Sequence, residues 1–169
     1  MRSSAELACV DPKRVREIWP YVEPLLRKAI ARTALSAFTD IERDILNGYA
    51  LLWIAVGGEE SDPAIEAAAS TSLQQIDAGK VCVITACAGA NMARWLPLIK
   101  GIEAYARDEG CECVRIFGRK GWLRALDGYE EKHIIMDKDL RWWRVLIFAM
   151  RMDLILEYMA VKERAACLD

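Results

Sequence analysis

The sequence predicts an α+β (mixed α/β) fold, in which a twisted sheet of mixed strand directions is flanked by helices. The main observation is a strand-helix-strand pattern: the apolar run Val81–Cys87 precedes a helical pattern and a second apolar run, Cys111–Phe117. Strands joined through a helix run parallel, whereas strands joined by short turns run antiparallel. The length of 169 residues suits a single core, because folding at this size buries roughly 70% of the surface of the unfolded chain.

The amino-terminal part is predicted to be helical. Residues 1–10 show no clear pattern, and Asp11-Pro12 is typical of a helix start with proline at the first helical position. Apolar residues then recur at helical spacing, which predicts one buried face. Pro20 and Pro24 interrupt this pattern, so we expect a short helix followed by a longer one.

A three-strand meander is predicted to follow a second helix. The capping box Thr39–Glu42 opens that helix, and Gly48 ends it. The alanines of Ala64–Ile76 favour a helix, but its alternating pattern and the preceding turn favour a strand, which the hairpin needs as a partner. The predicted strands are Tyr49–Val56, Ala64–Ile76 and Val81–Cys87, with turns at Gly57–Pro63 and Asp77–Lys80.

Three further elements are predicted after the second core strand. Gly118–Gly121 leads into a short helix that Gly128 ends, and Tyr129–Asp137 is predicted as a strand. His133, the only histidine, alternates with apolar neighbours in this run and is expected at the sheet surface. Asp139–Asp169 is predicted as a helix with more apolar surface than one packed face needs, which favours association with a partner or another copy.

Composition excludes several classes of function. The formal net charge is -2, so the chain lacks the basic excess typical of nucleic-acid-binding proteins. The sequence contains no run of about 18 uncharged apolar residues and no signal-peptide core. We therefore expect a cytoplasmic protein without a nucleic-acid or membrane partner.

The cysteine pattern predicts free thiols. The six cysteines include no CxxC pair, and most lie in apolar strand patterns, where cysteine behaves as a small hydrophobic residue. Cys111 and Cys113 would lie on one face of a strand and could chelate a metal. No second pair of ligands accompanies them, so no metal site is predicted.

The turn Ala88–Asn91 follows the first core strand and opens the central helix. Its small residues suit close approach of the backbone to a bound group, and the free amide groups of the helix start could bind an anion. Alternatively, this connection uses small residues only because space is short. A phosphate cradle usually contains more than one glycine, which favours the second interpretation.

The predicted central helix contains Trp95, Ile102 and Ala106, and it ends at Gly110 before a strand. In this pattern it resembles the central helix of the GNAT superfamily of acyl-CoA N-acyltransferases. In that family the helix opens with an Arg/Gln-x-x-Gly-x-Gly/Ala signature that binds the pyrophosphate of the cofactor. Counting back from Gly110, the signature positions are Ala90, Ala93 and Trp95, so both the arginine and the glycines are replaced.

The sequence is also similar, more narrowly, to small GNAT-like proteins of tailed bacteriophages and prophages. The resemblance covers roughly residues 45–140 and includes Gly89, Trp95 and the Gly118–Trp122 motif. It implies a GNAT-like domain over residues 1–140. Residues 141–169 would then form a helical extension beyond the end of the family fold.

The resemblance implies candidate site residues. In the family, strand amide groups polarise the thioester, a gap between two strands holds the pantetheine arm, and a base removes a proton from the amine. Glu66 is the candidate general base, and Tyr129 is the candidate phenol. Arg124 occupies the usual place of the family's catalytic tyrosine.

The candidate pyrophosphate turn comprises four residues, whose amides could hold acetyl-CoA if the helix starts early: Gly89, Ala90, Asn91 and Met92.

Trp95 separates two hypotheses. An indole at this position would fill the groove that a pyrophosphate needs, and burying phosphate charges without an arginine is costly. The first hypothesis is therefore a phage or prophage protein that binds no cofactor, performs no acetyl transfer and works as a structural or virion-associated component through residues 141–169. The alternative is an active N-acetyltransferase that uses acetyl-CoA with a divergent pyrophosphate turn.

Overall fold

The structure is a computed structural model that describes residues 5–33, 35–59, 62–118 and 120–140. The chain divides into two units, Met1–Glu130 and Glu131–Asp169. The predicted helix Asp139–Asp169 lies outside the described residues except for residues 139 and 140, which are not helical. The extension assigned to residues 141–169 lies wholly outside them.

The first unit contains one five-stranded sheet with strand order β1-β2-β3-β4-β5. Neighbouring strands are antiparallel except for β4 and β5, which are parallel. The predicted meander and the predicted parallel pair are therefore confirmed. The strands are β1 (Glu6–Cys9), β2 (Leu51–Glu59), β3 (Asp62–Ile76), β4 (Gly79–Gly89) and β5 (Cys113–Ile116).

Along the chain, helices connect β1 to β2 and β4 to β5, and a short helix follows β5. The α-helices are α1 (Val15–Thr33), α2 (Phe38–Leu46), α3 (Met92–Trp95) and α4 (Ile99–Asp108), and short 3-10 helices span Leu96–Leu98 and Lys120–Arg124. The predicted central helix is thus divided into α3, a 3-10 turn and α4. Pro97 lies in that turn, and its missing N–H and fixed φ angle favour a break at this point.

The prediction that two prolines split the first helix is wrong, because α1 is continuous through Pro20 and Pro24. Both prolines are exposed, so water can satisfy the carbonyl groups that lose their helical partners. The opposite face buries Val22, Leu26 and Ile30. Packing of this face outweighs the local cost of the prolines.

The predicted starts of both helices also need correction. Asp11 forms a turn instead: its carboxylate accepts a 2.9 Å hydrogen bond from the Lys13 N–H, and α1 begins only at Val15. Thr39 lies inside α2, whose N-cap is Ala37 with no side-chain hydrogen bond. The end of α2 is as predicted, since Gly48 follows it with φ +76°.

Strand β1 is absent from the sequence-based prediction. It has four residues, too few to produce a periodic pattern, and it forms because its backbone pairs with β2. The hairpin between β2 and β3 has a shorter loop than predicted. Gly57 and Gly58 pair with Ala64 and Pro63 inside the ladder.

The predicted strand Tyr129–Asp137 is not formed: residues 129–140 contain neither strand nor helix. Ile134 and Met136 are 74% and 89% exposed, and His133 is exposed outside any sheet. An apolar run with strand propensity becomes a strand only where a neighbouring edge accepts its backbone hydrogen bonds.

The two faces of the sheet carry separate cores. On one face, α1 and α2 pack against Leu52, Ile54, Ala68 and Ala86. On the other face, Ile102 and Ala106 of α4 belong to a cluster with the following strand residues: Trp53, Ala69, Cys82 and Ile84. Cys87, near the end of β4, packs against this second core and also against a third cluster, which contains Trp95 of α3.

Candidate functional site

The candidate site lies where β4 extends beyond β5. Parallel pairing ends at Ile84 and Ile116, while β4 continues to Gly89. A β-bulge occurs at the same place, because Ser70 pairs with Ala86 while Thr71 pairs with Ile84. Bulges bend a strand and increase its twist. We therefore expect β4 to bend near the point where its pairing with β5 ends.

Trp95 lies beside this end of β4. Its side chain is 8% exposed and belongs to a cluster with Ala55 and Ala67. The indole Nε1 donates a 3.0 Å hydrogen bond to the carbonyl oxygen of Ala90. A Cβ on Gly89 would lie 2.6 Å from the same nitrogen, so the indole is packed directly onto the backbone of the turn.

A small apolar cavity remains under this indole. Its volume is ≈ 40 Å³, which is far below the ~300–1,000 Å³ of typical ligand pockets. Its lining includes Ile84 of β4 and Ile116 of β5, together with Trp95 and Trp122. The two indole centroids are 6.3 Å apart, so two aromatic rings lie together on the lining of this cavity.

Glu66, the candidate base, lies in a second β-bulge. Ala55 pairs with Ala67 and Val56 with Ile65, so Glu66 is the extra residue of β3. Its side chain lies over Gly57, where an added Cβ would be 2.1 Å from a carboxylate oxygen. The bulge and the bare glycine backbone together set the direction of this carboxylate.

The Glu66 carboxylate binds Arg94 through two contacts. Arg94 Nε lies 2.9 Å from one oxygen and Nη2 lies 2.8 Å from the other. The Glu66 side chain is 17% exposed and the Arg94 side chain is 24% exposed, so solvent screens this ion pair only in part. Sequence reasoning missed Arg94, although it is the one arginine within the turn and α3.

The turn predicted to hold a pyrophosphate is tied to the same bulge. The Ala90 N–H donates a 3.0 Å hydrogen bond to the carbonyl oxygen of Glu66. Asn91 has φ +60°, and Met92 begins α3, which has only four residues. The roles of Gly89, Ala90, Asn91 and Met92 in cofactor binding remain predictions, and the amide group of Ala90 already has an internal partner.

A second cleft, of ≈ 460 Å³, opens beside these residues. It brings together three residues singled out from the sequence, Glu66, Ala90 and Asn91, and adds Arg94. Two apolar side chains, Leu25 and Ile65, also line the cleft, together with the backbone of Gly58. The cleft therefore combines one carboxylate and one guanidinium with an apolar surface.

Tyr129, the candidate phenol, lies elsewhere in the first unit. Its hydroxyl donates a 3.1 Å hydrogen bond to the carboxylate of Glu103 on α4. Burial, and then the negative charge of Glu103, raises the pKa of the Tyr129 phenol above its ordinary value. Tyr129 does not line the cleft that contains Glu66, so the structure does not bring the two catalytic candidates together.

The thiols are free in the part of the chain that the structure describes. Burial raises the pKa of Cys82 to about 11 and that of Cys87 to about 12. Cys111 precedes β5, which begins at Cys113, so the prediction that both lie on one strand face is wrong. No group of metal-binding side chains occurs among the described residues, and no helix there is long and apolar enough to cross a membrane.

No protein-family model and no curated protein matches the chain in sequence. Solved structures do match. A predicted acetyltransferase from Clostridium acetobutylicum, solved with acetyl-CoA, superposes with a TM-score of 0.55 at 12% identity over 80% of this chain and 96% of that one. A GNAT family acetyltransferase from Staphylococcus aureus gives a TM-score of 0.52 at 11% identity, over 82% and 100% of the two chains.

An aminoglycoside acetyltransferase from an uncultured soil metagenomic sample, in complex with sisomicin, gives a TM-score of 0.57 at 11% identity. That match covers 80% of this chain and 96% of the aminoglycoside enzyme. At such low identity, likeness of structure concerns the fold and leaves the activity open. The chain has the fold of the GNAT acetyltransferases, with a mixed five-stranded sheet flanked by helices.

Proposed function

We propose that this chain is a GNAT-fold protein that does not transfer acetyl groups and acts as a structural or interaction component. The observation that carries the proposal is the position of Trp95, whose buried indole packs on Gly89 at the end of β4. In the GNAT family, a pantetheine arm lies in the gap between the diverging strands. Here the aromatic rings leave a cavity of ≈ 40 Å³ beside those strands.

The charges beside the turn support the same proposal. A pyrophosphate needs cations or free amide groups when it is removed from water, since burying phosphate charge without them costs several kcal/mol. The guanidinium of Arg94 is bound to the carboxylate of Glu66 at 2.8 Å. A diphosphate would have to compete with that carboxylate for the guanidinium.

Calorimetry with acetyl-CoA tests the absence of cofactor binding. The wild-type protein should give no heat and no thermal shift at millimolar acetyl-CoA. Trp95→Gly removes the indole and should allow measurable binding if its bulk is the obstacle. Because this variant loses a buried side chain, its folding should be verified by circular dichroism before titration. Binding by the wild-type protein would contradict the proposal.

The interaction role is proposed for the carboxy-terminal part of the chain. Ile134, Ile135, Met136 and Leu140 are exposed apolar residues, and the sequence of residues 141–169 is rich in apolar side chains. Surfaces of this kind are typical of association sites. The resemblance of the sequence to small phage and prophage proteins motivates the proposal that the chain assembles in a virion, either with another protein or with a second copy.

Self-association can be measured by sedimentation velocity. The full chain should form an oligomer or bind a virion protein, and a chain that ends at residue 140 should be monomeric. A full chain that is monomeric at high concentration and binds no virion protein would contradict the interaction role. Capsid or tail genes beside this one would support a virion role, and their absence would weaken it.

An active N-acetyltransferase is the second candidate, and one observation favours it. Glu66 is held by its bulge on a cleft of ≈ 460 Å³ together with Ala90 and Asn91, as expected for a base near a bound amine. An assay of thiol release from acetyl-CoA across a panel of amines tests this candidate. Turnover that Glu66→Gln lowers about 100-fold, within the usual range for a general base, would establish it.

A further inference from the structure

We propose that the Glu66–Arg94 ion pair acts as a latch: it holds residues 90–95, which comprise the end of the turn and α3, against β3. In this way it keeps the Trp95 indole packed on β4. In this inference, Glu66 is a positioning residue that acts on Trp95 through Arg94. The inference rests on the proposed function, because it explains what keeps the space beside β4 filled.

Among the described residues, three contacts attach residues 90–95 to β3. The Ala90 N–H binds the Glu66 carbonyl oxygen at 3.0 Å. The Arg94 side chain binds the Glu66 carboxylate at 2.8 and 2.9 Å. The Trp95 indole contacts the apolar group that includes Ala67. Glu66 makes two of these contacts, and Ala67, the next residue of β3, makes the third.

The connection between Arg94 and Trp95 is short and stiff. The two residues are consecutive in α3, and the Arg94 N–H donates a 2.9 Å hydrogen bond to the Asn91 carbonyl oxygen. The indole itself is bound to Ala90, at the start of the turn. A displacement of the Arg94 side chain from β3 should therefore loosen the hydrogen bond between Trp95 and Ala90.

The space over Gly57 makes the pair possible. A Cβ at this position would lie 2.1 Å from a Glu66 carboxylate oxygen and 2.5 Å from the carboxyl carbon. The carboxylate is the flexible end of its side chain, so a methyl group would displace it rather than the backbone. Gly57→Ala should thus break the pair while both charges remain in the chain.

Exchange of the Trp95 indole N–H with solvent measures the latch in the full-length protein. The six tryptophans give separate indole signals in nitrogen-15 spectra, and Trp95→Phe identifies the signal of Trp95. The ion pair is partly exposed, so its loss should have an effect between those of fully exposed and fully buried ion pairs. Glu66→Gln should therefore speed up the exchange of the Trp95 indole N–H about 10-fold. Gly57→Ala should speed it to a similar degree.

Glu109→Gln is the matched control. Lys80 and Glu109 form an ion pair of 2.9 Å near the other end of β4, and its loss should leave the exchange of Trp95 unchanged. Equal acceleration in this control would overturn the latch, since it would indicate general loosening. Wild-type exchange rates in either Glu66→Gln or Gly57→Ala would also overturn it.

A separate titration distinguishes failure of the latch from failure of the proposed function. Coenzyme A is added to the wild-type protein, and all indole signals are followed. Shifts on addition would contradict the proposed function, whereas the exchange rates of the variants would still decide the latch. Unchanged signals, together with faster exchange in both variants, support both proposals.

Discussion

The indole Nε1 of Trp95 donates its hydrogen bond to the carbonyl oxygen of Ala90, the residue that directly follows β4. The residue that the sequence marks as incompatible with a pyrophosphate is therefore part of the turn's own hydrogen bonding. Its ring also contributes to the core beside Ala67. Trp95 thus has a structural role that its position in the family signature alone does not reveal.

Truncation of Trp95 should destabilise the fold strongly. Trp95→Ala removes a buried side chain and should lower the free energy of unfolding by about 3–5 kcal/mol, as measured by urea denaturation. Trp122→Ala removes the neighbouring, half-buried indole and should cost less. A Trp95→Ala protein within about 1 kcal/mol of wild type would show that the indole is not packed as described.

Gly89 should tolerate no side chain. A Cβ at this position would meet the Ala67 Cβ at 2.5 Å, Trp95 Nε1 at 2.6 Å and the Glu66 carbonyl oxygen at 2.7 Å. A backbone atom and a packed ring cannot move away without a loss of stability. Gly89→Ala should therefore lower the free energy of unfolding by about 1–3 kcal/mol.

Gly121→Ala is the matched control for that substitution. Apart from its chain neighbours, no described residue has an atom within 4 Å of a Cβ placed on Gly121, so the melting temperature of this variant should not fall below that of the wild type. Equal melting temperatures for Gly89→Ala and the wild type would contradict the close packing of Trp95 on the turn.

The elements that the sequence predicts well are those fixed by local pattern. The strands of the meander and the parallel strand β5 follow from apolar runs bounded by turn residues. A strand forms only where a neighbouring strand accepts its backbone hydrogen bonds, and a local sequence pattern does not show this. For this reason β1 was not predicted, and a strand after Gly128 was predicted but does not form. The continuity of α1 through Pro20 and Pro24 depends on tertiary packing in the same way.

The candidate site was predictable in part. The small-residue turn and the unusual position of Trp95 are visible in the sequence, and the structure places Glu66 on the same cleft as Ala90 and Asn91. Arg94 was missed because its partner lies 28 residues away and is aimed by a bulge. A bulge depends on the register of two strands, so sequence spacing does not reveal it.

The buried hydroxyl pair at the bulge of β4 should stabilise the sheet. Ser70 is fully buried, and its Oγ lies 2.6 Å from the Oγ1 of Thr85. Thr85→Val leaves the Ser70 hydroxyl without this partner and should lower the free energy of unfolding by about 1–3 kcal/mol.

A double-mutant cycle with Ser70→Ala checks the pair. Removing both hydroxyls eliminates the unsatisfied group, so the double variant should lose less stability than the sum of the two single variants. Strictly additive losses in chemical denaturation would show that the two hydroxyls do not interact.

Alkaline pH should destabilise the protein through its buried thiols. Burial raises the pKa of Cys82 from 9.0 to about 11, so the unfolded chain loses this proton at a lower pH than the folded chain does. The contribution of the neutral thiol is therefore complete below pH 9, and it is lost as the pH rises towards 11. Cys87, with its pKa raised to about 12, acts in the same direction over a higher range.

Urea denaturation between pH 8 and pH 11 measures this dependence. Cys82→Val replaces the thiol by an apolar group of similar size, so the free energy of unfolding of this variant should fall less steeply above pH 9 than that of the wild type. Cys113→Val is the matched control, because Cys113 is an exposed free thiol whose charge contributes less than burial to the raised pKa of Cys82. Its replacement should therefore change the slope much less than Cys82→Val does. A wild-type stability that stays constant to pH 11 would contradict the burial of Cys82, since the protonated state of a buried thiol must be favoured over its thiolate.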